Sequence, residues 1–211
     1  AAIAAGLFSP VHLVGIVGTD FPEPAHKLLL KYTANSKDLI IEEGLTFRWG
    51  GRYHKNGDNR DTLFTELGVF SDFDPILSDE NRKIKWVFLA NIHPSLQIDV
   101  LDQCVDDPFV VTDTMNLWID LFPEILNNVL SISTIFLINH EEAQQLTGES
   151  DLRLAGKKLL AAGPEIVVIK KGSDGCYLTY NNNEFSIPAF PVQKVLDPTG
   201  AGDSFAGGLM G

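Results

Sequence analysis

"STIFLINHEEAQQLTGESDLRLAGKKLLAAGPEIVVIKKG" (residues 133–172) holds one full period of the rhythm that decides the fold. Its two ends, 133–139 and 165–172, are short runs of Ile, Phe, Leu and Val, the composition of buried strands. Between them lie a short helical segment, 140–148, and a longer one, 151–163, that closes on glycine. Strands joined through helices of this length lie parallel, and near-continuous apolar strands are those covered on both faces.

The same rhythm runs outward from this stretch. Residues 11–18 read as a buried strand and 23–35 as a helix with Leu28, Leu29 and Tyr32 on one stripe. A buried strand at 85–92 precedes a helix at 95–104, and a strand at 109–114 precedes a helix at 117–130 that Pro123 should bend. The pattern predicts an α/β fold with a mostly parallel sheet and helices on both faces. Residues 45–70 break it: Asn56-Gly57 is a hairpin turn signal between strand-like segments, so a small antiparallel sheet is inserted there. A second, smaller hairpin is expected at 175–189.

Composition narrows the functional classes. The chain has 211 residues, 45% hydrophobic and 21% charged, which suits one globular domain. Its net charge of −12 repels nucleic acid and anionic membrane, so neither is an expected partner. Cys104 and Cys176 show no CxxC spacing and read as reduced thiols of a cytoplasmic protein. No stretch approaches the roughly 18 unbroken apolar residues of a membrane span. Both ends read as cut: 1–10 is the tail of a helix, and 203–211 a helix barely begun, marginal with nothing to bury against. A fragment of a longer protein is expected.

"DPTGAGDSFAGG" (197–208) carries the chemistry. Gly200 and Gly202 let the backbone approach a ligand closely, and a helix beginning near Gly202 leaves N–H groups without internal partners. Those donors and the helix dipole favour an anion. Asp203 either offsets that dipole in a plain glycine-rich turn or works as a base on an attacking hydroxyl. A carboxylate beside an anion site is costly unless it has such work, and a transferring phosphoryl group needs both stabilised charge and an oriented nucleophile.

Along these twelve residues the sequence resembles the signature of the ribokinase-like (PfkB) carbohydrate kinase family. The resemblance implies a Rossmann-like α/β domain truncated at both ends, spanning 1–211, with a β lid inserted at about 40–72. It implies ATP-dependent phosphoryl transfer to a hydroxyl of a small sugar, with Asp203 as catalytic base and Gly200, Ala201 and Gly202 as the anion hole. A nucleoside is the alternative acceptor, and a non-catalytic sugar- or nucleotide-binding relative is the alternative of another class.

Other positions match the family residue by residue. Asn139 and Glu142 read equally as a capping box and, by resemblance, as residues that shape the Mg2+ environment through water. Lys170, Gly172 and Gly175 read as a strand end with a turn, and by resemblance as contacts to ATP phosphates. Asp113 and Asn116 read as an Asx turn opening a helix, or as the family's cleft-lining pair. In the lid, Arg48 and Trp49 are expected to face the acceptor, with Arg52, His54 and Arg60 on a solvated rim. The family's lid often carries dimer contacts, so a homodimer through the lid is expected. His12, His26 and His93 lack metal-ligand spacing and read as structural, and Met115 and Trp118 as core or cleft wall.

Overall fold

The computed structural model of the chain describes residues 1–53, 60–181 and 183–211. In chain order the elements are α1 (Ala2–Ala5), β1 (His12–Gly18), α2 (Glu23–Tyr32), β2 (Asn35–Glu42), β3 (Arg48–Tyr53), β4 (Arg60–Glu66), β5 (Trp86–Leu89), α3 (Pro94–Asp102), β6 (Phe109–Asp113), α4 (Asn116–Leu121), α5 (Pro123–Ile132), β7 (Ile135–Asn139), α6 (His140–Thr147), α7 (Leu152–Ala161), β8 (Ile166–Lys170), β9 (Cys176–Tyr180), β10 (Asn183–Ile187) and α8 (Ala201–Met210). They form two compact units: Ala1–Arg82 with Gln193–Gly211, and Lys83–Val192.

The second unit is built on one six-stranded sheet in the order β10-β9-β8-β7-β6-β5. β5 to β8 run parallel, and the β9–β10 hairpin joins them antiparallel. Phe136, Ile138, Val167 and Ile169 project from one face and are fully buried against Leu126 and Leu130 of α5, Ala143 of α6, and Ala155 and Leu159 of α7. Burying such large apolar side chains stabilises by about 1.5–3 kcal/mol each. Leu137 and Val168, on the alternate face, are buried too, which is why these strands read as unbroken apolar runs. β5 departs from the expected buried strand: it is an edge, and Trp86 is 64% exposed and tilted against Phe109.

Local chemistry sets the helix boundaries. Asp151 Oδ1 accepts from the N–H groups of Arg153 (2.8 Å) and Leu154 (3.3 Å) and starts α7. The helix expected at 117–130 is broken rather than bent. Phe122, which precedes Pro123, leaves helical conformation (φ −134°, ψ 47°) and separates α4 from α5.

The first unit carries two small sheets, parallel β1–β2 and antiparallel β3–β4. β2 was hidden in the sequence, because the expected helix over 23–35 runs up to its first residue. α2 ends at Tyr32 and β2 takes Asn35–Glu42. Among the described residues β1 pairs with β2 alone, and it is only half-buried along most of its length, unlike the buried strand expected. β3 and β4 form the expected inserted sheet, with a bulge at Gly50/Gly51; the Asn56-Gly57 turn and His54 lie outside the described residues. A polar lock ties β1, β2 and the 78–81 turn: the buried Asp38 carboxylate accepts from Ser78 N (2.9 Å) and Oγ (3.0 Å) and from Asn81 Nδ2 (2.6 Å), and Asn81 Oδ1 meets His12 Nδ1 at 2.6 Å. His12 is thus structural, as its lack of metal-ligand spacing suggested.

α8 differs from the marginal stub expected. It is ten residues long and packs on α1, with Ala206 and Gly207 buried. Gly207 sits so close that a Cβ there would meet the carbonyl oxygen of Ala1 at 2.2 Å. Among the described residues no helix is long and apolar enough to cross a membrane.

Candidate functional site

In the first unit, the approach to α8 is a chain of tight turns. Asp197 Oδ1 accepts from Thr199 N (2.8 Å), and hydrogen bonds from Thr199, side chain first and backbone second, hold the Asp197 carboxyl below the usual carboxylate range. Ala201 N donates back to Pro198 O (3.1 Å), and Gly200 occupies the N-cap with φ +76° and open space beside it. That left-handed conformation suits glycine and strains any residue with a Cβ. Of the three expected anion-hole residues, Ala201 therefore has its N–H committed. Among the described residues no acceptor meets the N–H of Gly202 or Asp203, and the Asp203 carboxylate, exposed, has no hydrogen-bond partner. Free amides, an aligned helix dipole and an accessible carboxylate stand within one turn.

In the second unit, four expected residues gather where β6, β7 and β8 end side by side. Asn139 closes β7 and caps α6: its Oδ1 accepts from Glu142 N (2.8 Å), and Glu142 Oε2 accepts from Asn139 N (3.0 Å). The capping box exists as drawn from the sequence, with the Glu142 side chain buried. Lys170, paired in register with Asn139, sends its ammonium across β7 to Asp113, at 2.8 Å from Oδ1 and 3.0 Å from Oδ2. The two side chains are only 16% and 8% exposed. Asp113 does not open α4 by an Asx turn, since Met115 is the N-cap without a side-chain bond and Asn116 is an exposed first residue. Gly172 begins a 3-10 turn, and Gly175 (φ +86°) lies so close to the β10 end that a Cβ would meet Ile187 O at 2.0 Å.

At the start of β3, Arg48 is held by Asp20 (3.3 Å), whose carboxylate also accepts from Thr46 Oγ1 (2.6 Å) and N (2.7 Å). The Thr46 hydroxyl, then its N–H, and Arg48 more weakly hold Asp20 below the usual carboxylate range. Two residues of consequence escaped the sequence reading. Asp20 had one signal, a carboxylate two positions beyond the glycine that ends β1. Gln97 had another, an amide inside the apolar helix 95–104; it is 2% exposed, and its Nε2 donates to Ala90 O (2.9 Å) and Asp113 O (3.1 Å).

Asn139 and Glu142 at the β7 end suit a hydrated Mg2+. Asn139 and Glu142 each give an atom to the capping box, and among the described residues no three His, Cys, Asp or Glu cluster to ligate a metal directly. Mg2+ commonly keeps several waters and one or two carboxylates, which such a pair can serve.

Comparison with known proteins places relatives beside this chain. Residues 63–211 match the family described as pfkB family carbohydrate kinase. The cytidine kinase of Thermococcus kodakarensis is 29% identical over 206 residues, covering 95% of this chain and 72% of that protein. An uncharacterized sugar kinase of Archaeoglobus fulgidus is 40% identical over 86 residues, 40% of this chain and 33% of that protein. Among solved structures, an Escherichia coli protein described as a ribokinase II, in complex with ATP and Mg2+, superposes with a TM-score of 0.80 at 19% identity, covering 98% of this chain and 70% of that one.

Proposed function

Because the chain belongs to the pfkB family of carbohydrate kinases, we propose that the protein transfers a phosphoryl group from ATP to a hydroxyl of a small sugar, with Asp203 as general base. The observation that carries this reading is the start of α8, where a carboxylate stands beside main-chain amides and neither meets a partner among the described residues. Asp203 takes the proton of the acceptor hydroxyl as its oxygen forms the new bond to the γ-phosphorus and the bond to the β–γ bridging oxygen breaks, leaving ADP. The N–H groups of Gly200, Gly202 and Asp203 take up charge on the transferring group, while Ala201 keeps the turn through Pro198. Lys170, Gly172 and Gly175 are assigned to the nucleotide phosphates, and Asn139 and Glu142 to the waters of Mg2+. When bound, the metal neutralises charge on the phosphates. The ATP and Mg2+ bound in the E. coli relative support the choice of nucleotide and metal.

Asp203→Asn tests it. Transfer should fall by about 10²–10⁴ while nucleotide and acceptor still bind; near-normal transfer would reject the assignment. A nucleoside acceptor is the second reading, favoured by the cytidine kinase relative that covers 95% of the chain. Following ADP release with pentoses and hexoses against nucleosides separates the two.

A further inference from the structure

Lys170 has three N–H donors, and Asp113 takes two of them. The partners are 57 residues apart and on strands that are not neighbours, since β7 runs between β6 and β8. Asp113 is itself fixed: Oδ1 accepts from Thr114 N (3.1 Å), its carbonyl accepts from the buried Gln97 amide (3.1 Å), and its backbone lies in the β6 ladder. A lysine by itself is a flexible, strongly hydrated point charge. Held this way it becomes a fixed donor with one N–H left to give, inside a pair whose net charge is zero.

We infer that Asp113 is a positioning residue for Lys170: it aims the remaining N–H at a nucleotide phosphate oxygen and masks the charge that Lys170 would otherwise present. This rests on the assignment of Lys170 to the nucleotide phosphates. Two effects of opposite sign follow when the carboxylate is removed. The ammonium regains its full charge, so a polyanion binds more tightly and with a steeper dependence on ionic strength. The ammonium also loses its aim, so turnover falls while nucleotide KM falls with it. A merely structural pair would lower stability and leave affinity unchanged. A direct role of Asp113 on the acceptor would raise acceptor KM and leave nucleotide affinity unchanged.

The experiment is calorimetric binding of ADP to the full chain as wild type, D113N, K170M and D113N/K170M, at low and high salt. K170M should weaken ADP binding about tenfold or more, the scale of one charge-assisted hydrogen bond. D113N should tighten it about threefold at low salt, a gain that high salt removes. In K170M the Asp113 carboxyl, 8% exposed and deprived of the Lys170 ammonium, does not keep a charge that would repel ADP, so the double variant should match K170M within about twofold. A D113N effect that persists at full size in the K170M background overturns the inference, as does unchanged ADP binding in D113N with a raised acceptor KM. Should D113N fail to fold, the pair K170M and D113N/K170M decides: equal affinities support the inference, and a gap above about threefold overturns it. Wild-type binding matched by K170M defeats this inference alone. Wild type that binds no ADP defeats the proposed kinase reading and this inference with it.

Discussion

Tyr177 shows how a single side chain can lock the hairpin next to β8. Its ring packs on the second unit's core, and its hydroxyl donates to Glu184 Oε2 at 2.7 Å across the β9–β10 turn. Burial first, then the hydrogen bond and charge of Glu184, push the phenol up to about 12. A raised value means the fold prefers the neutral phenol. Its stabilising contribution is complete below the unfolded value near ~10 and is lost as pH rises through about 12. The difference in phenolate absorbance between wild type and Tyr177→Phe should therefore titrate with a midpoint near 12, and Glu184→Gln should draw that midpoint down. A wild-type midpoint at the ordinary tyrosine value would show that the ring is solvated and the hairpin loosely held. Lys170, at the end of β8, is paired in register with Cys176, the residue before Tyr177.

At the scale of one element, α6 separates a structural duty from a chemical one. Asn139→Ala removes the cap and should cost about 0.5–2 kcal/mol in chemical denaturation. Asn139→Ser keeps an N-cap hydroxyl and should unfold close to wild type. If Asn139 also orders the waters of Mg2+, the serine variant should still need about tenfold more Mg2+ for half-maximal turnover, the usual cost of losing an outer-sphere partner. Wild-type behaviour of Asn139→Ser in both measurements would leave Asn139 with capping alone. The capping box was legible because its whole cause lies within four consecutive residues, Asn139 to Glu142. The Gly200 turn and Asp203 were legible for the same reason. The Asp113–Lys170 pair was not, since only the sheet brings its members together. β2 was missed on similar grounds: its apolar run is only Leu39 to Ile41, and the polar residues before it are extended through pairing with β1.

For the whole molecule, local patterns reveal the parallel sheet but not the division into two units. Phe136, Leu137 and Ile138 announce a strand buried on both faces. Nothing between Arg82 and Gln193 announces that the chain leaves the first unit at one point and returns to it at the other, because the return is fixed by the packing of α8 on α1. The returning segment has no helix or strand from Pro188 to Gly200. Phe190 and Leu196 are each 86% exposed there, with Val192 and Val195 at 65% and 60%. Proteases attack segments that open locally at small cost, whereas the strands of the second unit open only with its core. Thermolysin should therefore cut first before Val195 or Leu196, and mass spectrometry should find β5 to β10 intact in the larger product. A first cut within β7, β8 or α5 would contradict the burial of that core. Since the 200–203 amides follow within a few residues, saturating ADP should slow this cut if they hold phosphate as proposed; an unchanged rate of cleavage in the presence of bound ADP would separate the loop from the nucleotide.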